Sequence, residues 1–349
     1  MAKSEDRTQK EIAERVEKLK EGKQKIMHEF RKAIVGQDVV VGELLMAFFA
    51  GGHLLITGVP GLAKTLMIRT MGQILDLSFR RIQFTPDLMP SDITGTEILE
   101  EDRSSHRRAM KFIEGPLFAN IILADEINRA SPKTQAALLE AMQEQQVTVS
   151  GKTYPLKKPF FVLATQNPIE HEGTYPLPKL EQDRFMFSSI IDHLPRDEEI
   201  EVVDMTTSTY VPDVKTIMGG EELLRYQEIV RETPVSEPVI RYAVRLAASS
   251  RPGGDGASAR GDGSTLDFIS EYVSWGASIR ASHYLVLAAK ARAILDGRFN
   301  VGFDDIQAVA MPVLRHRITT NFRAESAGLK SEHIIEKLLE AVSPPTADL

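Results

Sequence analysis

An apolar run, His53-Leu54-Leu55-Ile56-Thr57, leads directly into Gly58-Val59-Pro60-Gly61-Leu62-Ala63-Lys64-Thr65-Leu66. This reads as a buried strand turning through a glycine-rich loop into a helix that begins near Lys64. Successive backbone N–H groups and the positive helix end then converge on one point, which makes the loop a cradle for phosphate. In such a cradle Lys64 reaches the terminal phosphates of a nucleotide and the Thr65 hydroxyl ligates Mg²⁺. Ala63 stands where a second glycine is usual, and it still permits close backbone approach if its φ is negative. The competing reading of the octapeptide alone is an ordinary glycine turn between strand and helix.

Short apolar runs alternate with helical patterns from Val35 to about Leu194. They are His53–Thr57, Phe79–Phe84, Asn120–Ala124, Phe160–Thr165 and Arg184–Ile191. That alternation predicts an α/β fold with a five-stranded parallel sheet covered by helices on both faces. Such sheets bind ligands at the carboxyl ends of their strands, where the loop, Asp125-Glu126 and Asn167 all fall. Before this region, Ile12, Val16, Leu19, Ile26, Phe30 and Ala33 recur at helical spacing, so residues 1–34 read as an amphipathic helix leading into the core, its stripe interrupted by Lys23. After residue 194 the strand signals stop, and residues 195–349 read as a small all-α domain. Its helical patterns are Glu221–Glu232, Pro238–Ser250, Ser278–Leu295, Asp304–Leu314 and Glu332–Val342, with Ser236 as an N-cap. The glycine-rich stretch at about 251–264 is expected to be a mobile loop; its Arg260-Gly261-Asp262 is a tripeptide of ordinary loop composition. Trp275 is expected to pack inside the helical domain.

Of the 349 residues, 42% are hydrophobic and 26% charged, the balance of a soluble globular protein. The net charge of −7 disfavours a dedicated nucleic-acid binder. The one basic cluster that could serve one is Arg103, Arg107, Arg108 and Lys111, and such a run is usually a solvated face. With no cysteine, disulfides, thiol catalysis and cysteine zinc sites are excluded, and a cytoplasmic location fits. The polar N-terminus carries no secretory pattern, and the apolar stretch Leu44–Val59 is interrupted by Gly51, Gly52 and His53, so no membrane span is expected. His53, His171 and His316 lack metal-ligand spacing and read as structural or solvent-facing.

The run Ile121-Ile122-Leu123-Ala124 ends in Asp125-Glu126. Adjacent carboxylates at the end of a buried strand are costly for packing, so each reads as functional: Asp125 holds Mg²⁺, and Glu126 orients and deprotonates a water. Asn167, ending the next run, either touches the γ-phosphate or positions the same water; the alternative is a turn residue before Pro168. Arg184 could stabilise charge developing on a transferred phosphoryl group, or simply pair with Asp183 or Glu181. Arg280 sits at a helix start, where a cation is unfavourable without a nearby anion, which a nucleotide phosphate would supply.

Together these residues resemble a AAA+ ATPase of the MoxR type. The segments Gly58–Thr65, Asp125-Glu126-Ile127-Asn128-Arg129-Ala130, Glu140–Glu144 and Gly173–Pro178 carry the likeness, which extends from Ile34 to Ile318. The resemblance implies a AAA+ P-loop core at 35–194 and an α-helical lid at 195–349. It implies an insertion in the second helix at about 92–116 and a β-hairpin at about 147–159. It also implies ATP and Mg²⁺ as ligands, with Lys64 and Thr65 as Walker A, Asp125 and Glu126 as Walker B, and Asn167 as sensor 1. Arg184 becomes an arginine finger acting on a neighbouring subunit and Arg280 becomes sensor 2. Val35, Gly36 and Gln37 would contact adenine, and alanine is usual at position 63. The implied protein is a homo-hexameric, chaperone-like remodeller of an unknown client, working with a partner that contains a von Willebrand factor A domain. Two other readings stand beside it: a nucleotide-dependent switch with little turnover, and a nucleic-acid motor.

Overall fold

The computed structural model describes residues 2–58, 61–101, 108–167, 174–253 and 266–345. Its centre is a five-stranded parallel sheet built from β1 (Leu54–Thr57), β2 (Phe79–Gln83), β5 (Ile121–Asp125), β8 (Phe161–Gln166) and β9 (Phe187–Ile190), in the order β2-β5-β8-β1-β9. The five expected runs are these five strands. The inner strands are buried on both faces because helices cover both, which is why they read as continuous apolar runs rather than as alternation. The edge strand β2 carries the exposed Arg80 and Arg81 instead.

Two antiparallel ribbons are attached to this core. β3 (Gly95–Glu101) pairs with β4 (Arg108–Glu114) in the stretch 92–116 where an insertion is expected, and β6 (Gln146–Val149) pairs with β7 (Lys152–Pro155) at the expected hairpin, beginning one residue earlier. They dock on each other through Phe112 stacked on Tyr154 (ring centroids 4.0 Å) and a Lys152–Glu97 ion pair of 2.7 Å. Arg108 and Lys111 pair with Glu101 and Glu100, so these two members of the basic cluster are neutralised; Arg103 and Arg107 lie outside the described residues.

One apolar cluster lies on each sheet face. The first contains the helices Asp38–Ala50 and Lys64–Ile74 and runs on without a break into the C-terminal helices. The helix Ile279–Leu295 is the hub of that region, packing on the helices Asp38–Ala50, Glu237–Ser249 and Phe303–Leu314. The N-terminal helix Ala2–Arg31 lies against both Lys64–Ile74 and Ile279–Leu295. Lys23 interrupts its stripe to reach Asp296 of the C-terminal region at 2.7 Å.

Several features differ from the sequence reading, among them two short helices, Asp267–Tyr272 and Phe322–Ser326. The C-terminal region carries a short ribbon, β10 (Val273–Trp275) with β11 (Thr319–Thr320). Trp275 lies on that ribbon with 69% of its surface exposed, so it packs into no core. A further helix, Arg196–Thr207, has no buried residue and therefore no apolar stripe to announce it. Ser236 stands at the N-cap position without a side-chain cap bond. Residues 254–265, most of the glycine-rich stretch, lie outside the described residues, as does His171. No described helix is long and apolar enough to cross a membrane.

Candidate functional site

The carboxyl ends of β1, β5 and β8 open on a cavity of ≈ 420 Å³. The phosphate loop forms one wall. Gly58 must be glycine, because a Cβ there would lie 2.6 Å from the Ile191 carbonyl oxygen. Val59 and Pro60 lie outside the described residues. Gly61, Ala63, Lys64, Thr65 and Leu66 line the cavity, and Leu62 packs against the first apolar cluster. Ala63 corrects one expectation: its φ is +54°, the left-handed region where glycine is at ease and alanine is strained. Lys64 folds back so that its Nζ donates to the Gly58 carbonyl. Burial pushes the Lys64 ammonium down, while Asp125 and Glu126 across the cavity pull it back up.

The opposite wall carries the two acids, and a small polar network fixes both. The Thr165 hydroxyl donates to Asp125 Oδ1 at 2.6 Å and accepts the Glu126 backbone N–H at 2.8 Å. Arg81 donates to Asp125 Oδ2 at 2.6 Å and to Gln83 Oε1 at 2.6 Å. Gln83 Nε2 donates to Glu126 Oε2 at 2.8 Å, and Arg129 reaches the same oxygen at 2.9 Å. Glu126 itself sits at φ +57°, turning the chain sharply out of β5. Asn167, buried at the end of β8, completes the lining.

The other expected residues lie apart from this cavity. Arg184 lines a separate hollow of ≈ 340 Å³ with Gln143, Glu140, Glu144 and Glu181, and its guanidinium donates to Gln143 rather than to Asp183 or Glu181. Arg280 does find an anion at its helix start, but it is Asp183, at 3.4 Å. Gly36 and Gln37 both take positive φ, +68° and +59°, in the turn that follows Val35. A Cβ at Gly36 would meet Glu198 and Leu194, and Gln37 Nε2 donates to the Asp192 carbonyl at 3.0 Å. Gly36 and Gln37 therefore sit where the chain leaves β9, against the segment 192–198.

Residues 53–187 match the model of the ATPase family associated with various cellular activities (AAA), and residues 268–338 match the AAA lid domain. The chain is 39% identical over 322 residues to a Mycobacterium tuberculosis protein named chaperone MoxR1, covering 92% of this chain and 82% of that one. It is 31% identical to the protein MoxR of Methylorubrum extorquens, over 90% of this chain and 91% of that one. The chain belongs to the MoxR-type AAA+ ATPases. A crystal structure of a candidate ATPase from Cytophaga hutchinsonii superimposes with a TM-score of 0.87 at 39% identity, covering 97% of this chain and 99% of that one.

Within this MoxR-type frame, the sequence reading missed Arg81, Gln83, Arg129 and Thr165. Arg81 and Gln83 are two apart on β2, hence on one face, and Gln83 lies in register with Asp125. That relation needs the strand order β2-β5-β8, which no single stretch of sequence contains. Thr165 had a local signal, a hydroxyl two residues before Asn167 at the same strand end.

Proposed function

We propose that the chain hydrolyses ATP as a subunit of a homo-oligomeric ring, a hexamer, in which Arg184 of one subunit completes the site of the next. The reading rests on one observation above all: the phosphate loop, both acids and Asn167 share one cavity, whereas Arg184 faces a different hollow. An arginine so placed has nothing to do for its own subunit's nucleotide.

The donor set fits Mg²⁺. A hydroxyl and a carboxylate are hard oxygen ligands, and Asp125 already holds a cation, the Arg81 guanidinium, on Oδ2. No cluster of three acidic or histidine ligands occurs among the described residues, in keeping with an ion that takes its remaining ligands from phosphate and water. Bound Mg²⁺ would neutralise charge on the β- and γ-phosphate oxygens. Thr65 and Asp125 would hold it, and Lys64 would leave the Gly58 carbonyl for the phosphates. Glu126, its Oε2 held by Gln83 and Arg129, orients a water and takes its proton as the water oxygen bonds to the γ-phosphorus. The bond to the bridging oxygen breaks, and ADP and phosphate leave. Arg184 from the neighbour stabilises the charge on the transferring group, a contribution of about 10³–10⁵ in rate for such fingers. Asn167 positions the γ-phosphate, Arg280 senses it from the lid, and residues 35–37 hold the adenine. The work of such a ring would be remodelling a client protein in the cytoplasm, together with a partner bearing a von Willebrand factor A domain.

Glu126→Gln tests the chemistry. It should bind ATP as tightly as wild type and lose turnover by at least ~10²-fold, the scale of general-base catalysis. Undiminished turnover would refute the assignment.

A further inference from the structure

Arg317 is the most completely buried arginine of the described chain that also bridges the two domains, with 1% of its side chain exposed. It belongs to the lid, just beyond the helix Phe303–Leu314, yet most of its donors are spent on the core. Nη2 donates to the carbonyls of Asp183 (2.8 Å) and Phe185 (2.6 Å), Nη1 donates to that of Met186 (3.2 Å), and Nε donates to the Asp183 carboxylate (2.6 Å). His316 Nε2 donates to the Phe185 carbonyl at 3.1 Å. The missing carbonyl in that series, Arg184's own, accepts the Tyr284 hydroxyl at 3.0 Å. Tyr284 lies on the lid helix Ile279–Leu295, and its ring packs under the Arg317 guanidinium at 5.0 Å. Every carbonyl from 183 to 186 is therefore taken by a lid donor. These are the residues that carry Arg184 into β9.

This pattern exceeds what domain adhesion requires. Adhesion is already supplied by the apolar cluster that runs from the core into the lid helices. The polar clamp falls instead on four successive residues that include Arg184, leaving its guanidinium projecting to Gln143. The other side of Asp183 is shared with Arg280 (3.4 Å) and with the Ser278 hydroxyl (2.8 Å). Arg280 and Tyr284 are four apart on one helix, hence on the same face. A shift of that helix, as when Arg280 leaves Asp183 for a phosphate, moves the group that holds the Arg184 carbonyl.

We propose that Arg317 and Tyr284 are positioning residues for the Arg184 finger, so that the lid of one subunit sets the geometry of the catalytic site in the next. The proposal rests on the shared-site reading above and adds the route by which one subunit's lid reaches its neighbour's reaction.

Tyr284→Phe removes only the hydroxyl on the Arg184 carbonyl. Turnover per subunit should fall about threefold to tenfold, as for loss of one hydrogen bond, with nucleotide affinity unchanged. Two readouts separate positioning from a merely structural or own-site role. First, Tyr284→Phe added to Arg184→Ala should slow the enzyme no further than Arg184→Ala alone. Second, rings mixed with excess Glu126→Gln subunits, which keep an intact finger, should restore the turnover of each Tyr284→Phe subunit. Arg317→Lys should give the same pattern with a larger loss. Multiplying effects in the double variant, or no recovery on mixing while Arg184→Ala does recover, overturns the proposal. If Arg184→Ala also fails to recover on mixing, the shared site itself falls and the proposal with it.

Discussion

Thr165→Val isolates the polar device that holds both acids. Threonine and valine have nearly the same shape, and both are β-branched, so β8 keeps its packing and its backbone preference. Only the hydroxyl disappears. Its bond to Asp125 Oδ1, at 2.6 Å, is made to a charged group and is worth about 1.5–3 kcal/mol. Its second bond satisfies the Glu126 N–H, and leaving that donor unpaired costs about 1–3 kcal/mol. Asp125 is 16% exposed and keeps Arg81, so water and the guanidinium recover part of the first loss. The net destabilisation should be about 2–4 kcal/mol. Function should suffer more than stability. Glu126 sits at φ +57°, a strained conformation secured by the bond to Thr165, and its release would displace the carboxylate. A shift on the order of 1 Å costs up to about 10²-fold in rate. Urea denaturation followed by circular dichroism reads the first effect and ATP turnover the second. Thr165→Ser, which keeps the hydroxyl and gives up one methyl, should lose about 1 kcal/mol and retain most activity. A valine variant as stable and active as wild type, or a serine variant as impaired as valine, would refute the reasoning.

Ala63→Gly should melt at or slightly above wild type. It relieves about 1–2 kcal/mol of left-handed strain and adds about 0.4–1 kcal/mol of unfolded-state entropy, whereas Ala63→Val should melt lower and bind nucleotide several-fold more weakly. Thermal melts and nucleotide titration read both. His53 governs part of the acid response: Nδ1 accepts the Val162 N–H and Nε2 faces the Met142 carbonyl, so the ring is neutral, and burial pushes its pKa from 6.5 down to about 4. The unfolded chain takes up this proton below about pH 6.5 while the folded chain refuses it until about pH 4. The stability held by this group is therefore complete above pH 6.5 and falls by up to about 3 kcal/mol toward pH 4. His53→Gln should flatten the profile of unfolding free energy between those limits without abolishing it, because burial lowers His316 in the same direction.

The sheet was legible because burial on both faces writes each strand as an apolar run, and the glycine-rich loop because it is contiguous. Asp125 and Glu126 were legible as charges placed where packing alone disfavours them. Gln83, Arg81 and Arg317 were not, since each acts on a residue distant in sequence, while Thr165 offered only a strand-end hydroxyl whose partners lie on β5. Gln83 finds Glu126 through the alignment of β2 with β5, and Arg317 finds residues 183–186 only once the lid has docked. The helix Arg196–Thr207 left no periodic trace because it buries nothing, and Trp275 shows that residue type is a weak guide where a ribbon edge faces solvent. Arg280 illustrates a subtler limit. Its need for an anion was readable from its place at a helix start, but Asp183 and a phosphate satisfy that need equally well.

ATP turnover per subunit against protein concentration, for wild type and Arg184→Ala, tests the shared site most directly. Wild-type specific activity should rise with concentration and reach a plateau as rings form, while Arg184→Ala binds ATP normally and stays at least ~10³-fold slower at every concentration. Specific activity independent of concentration down to the monomeric range, or an Arg184→Ala variant that hydrolyses at the wild-type rate, would contradict a site completed by the neighbouring subunit.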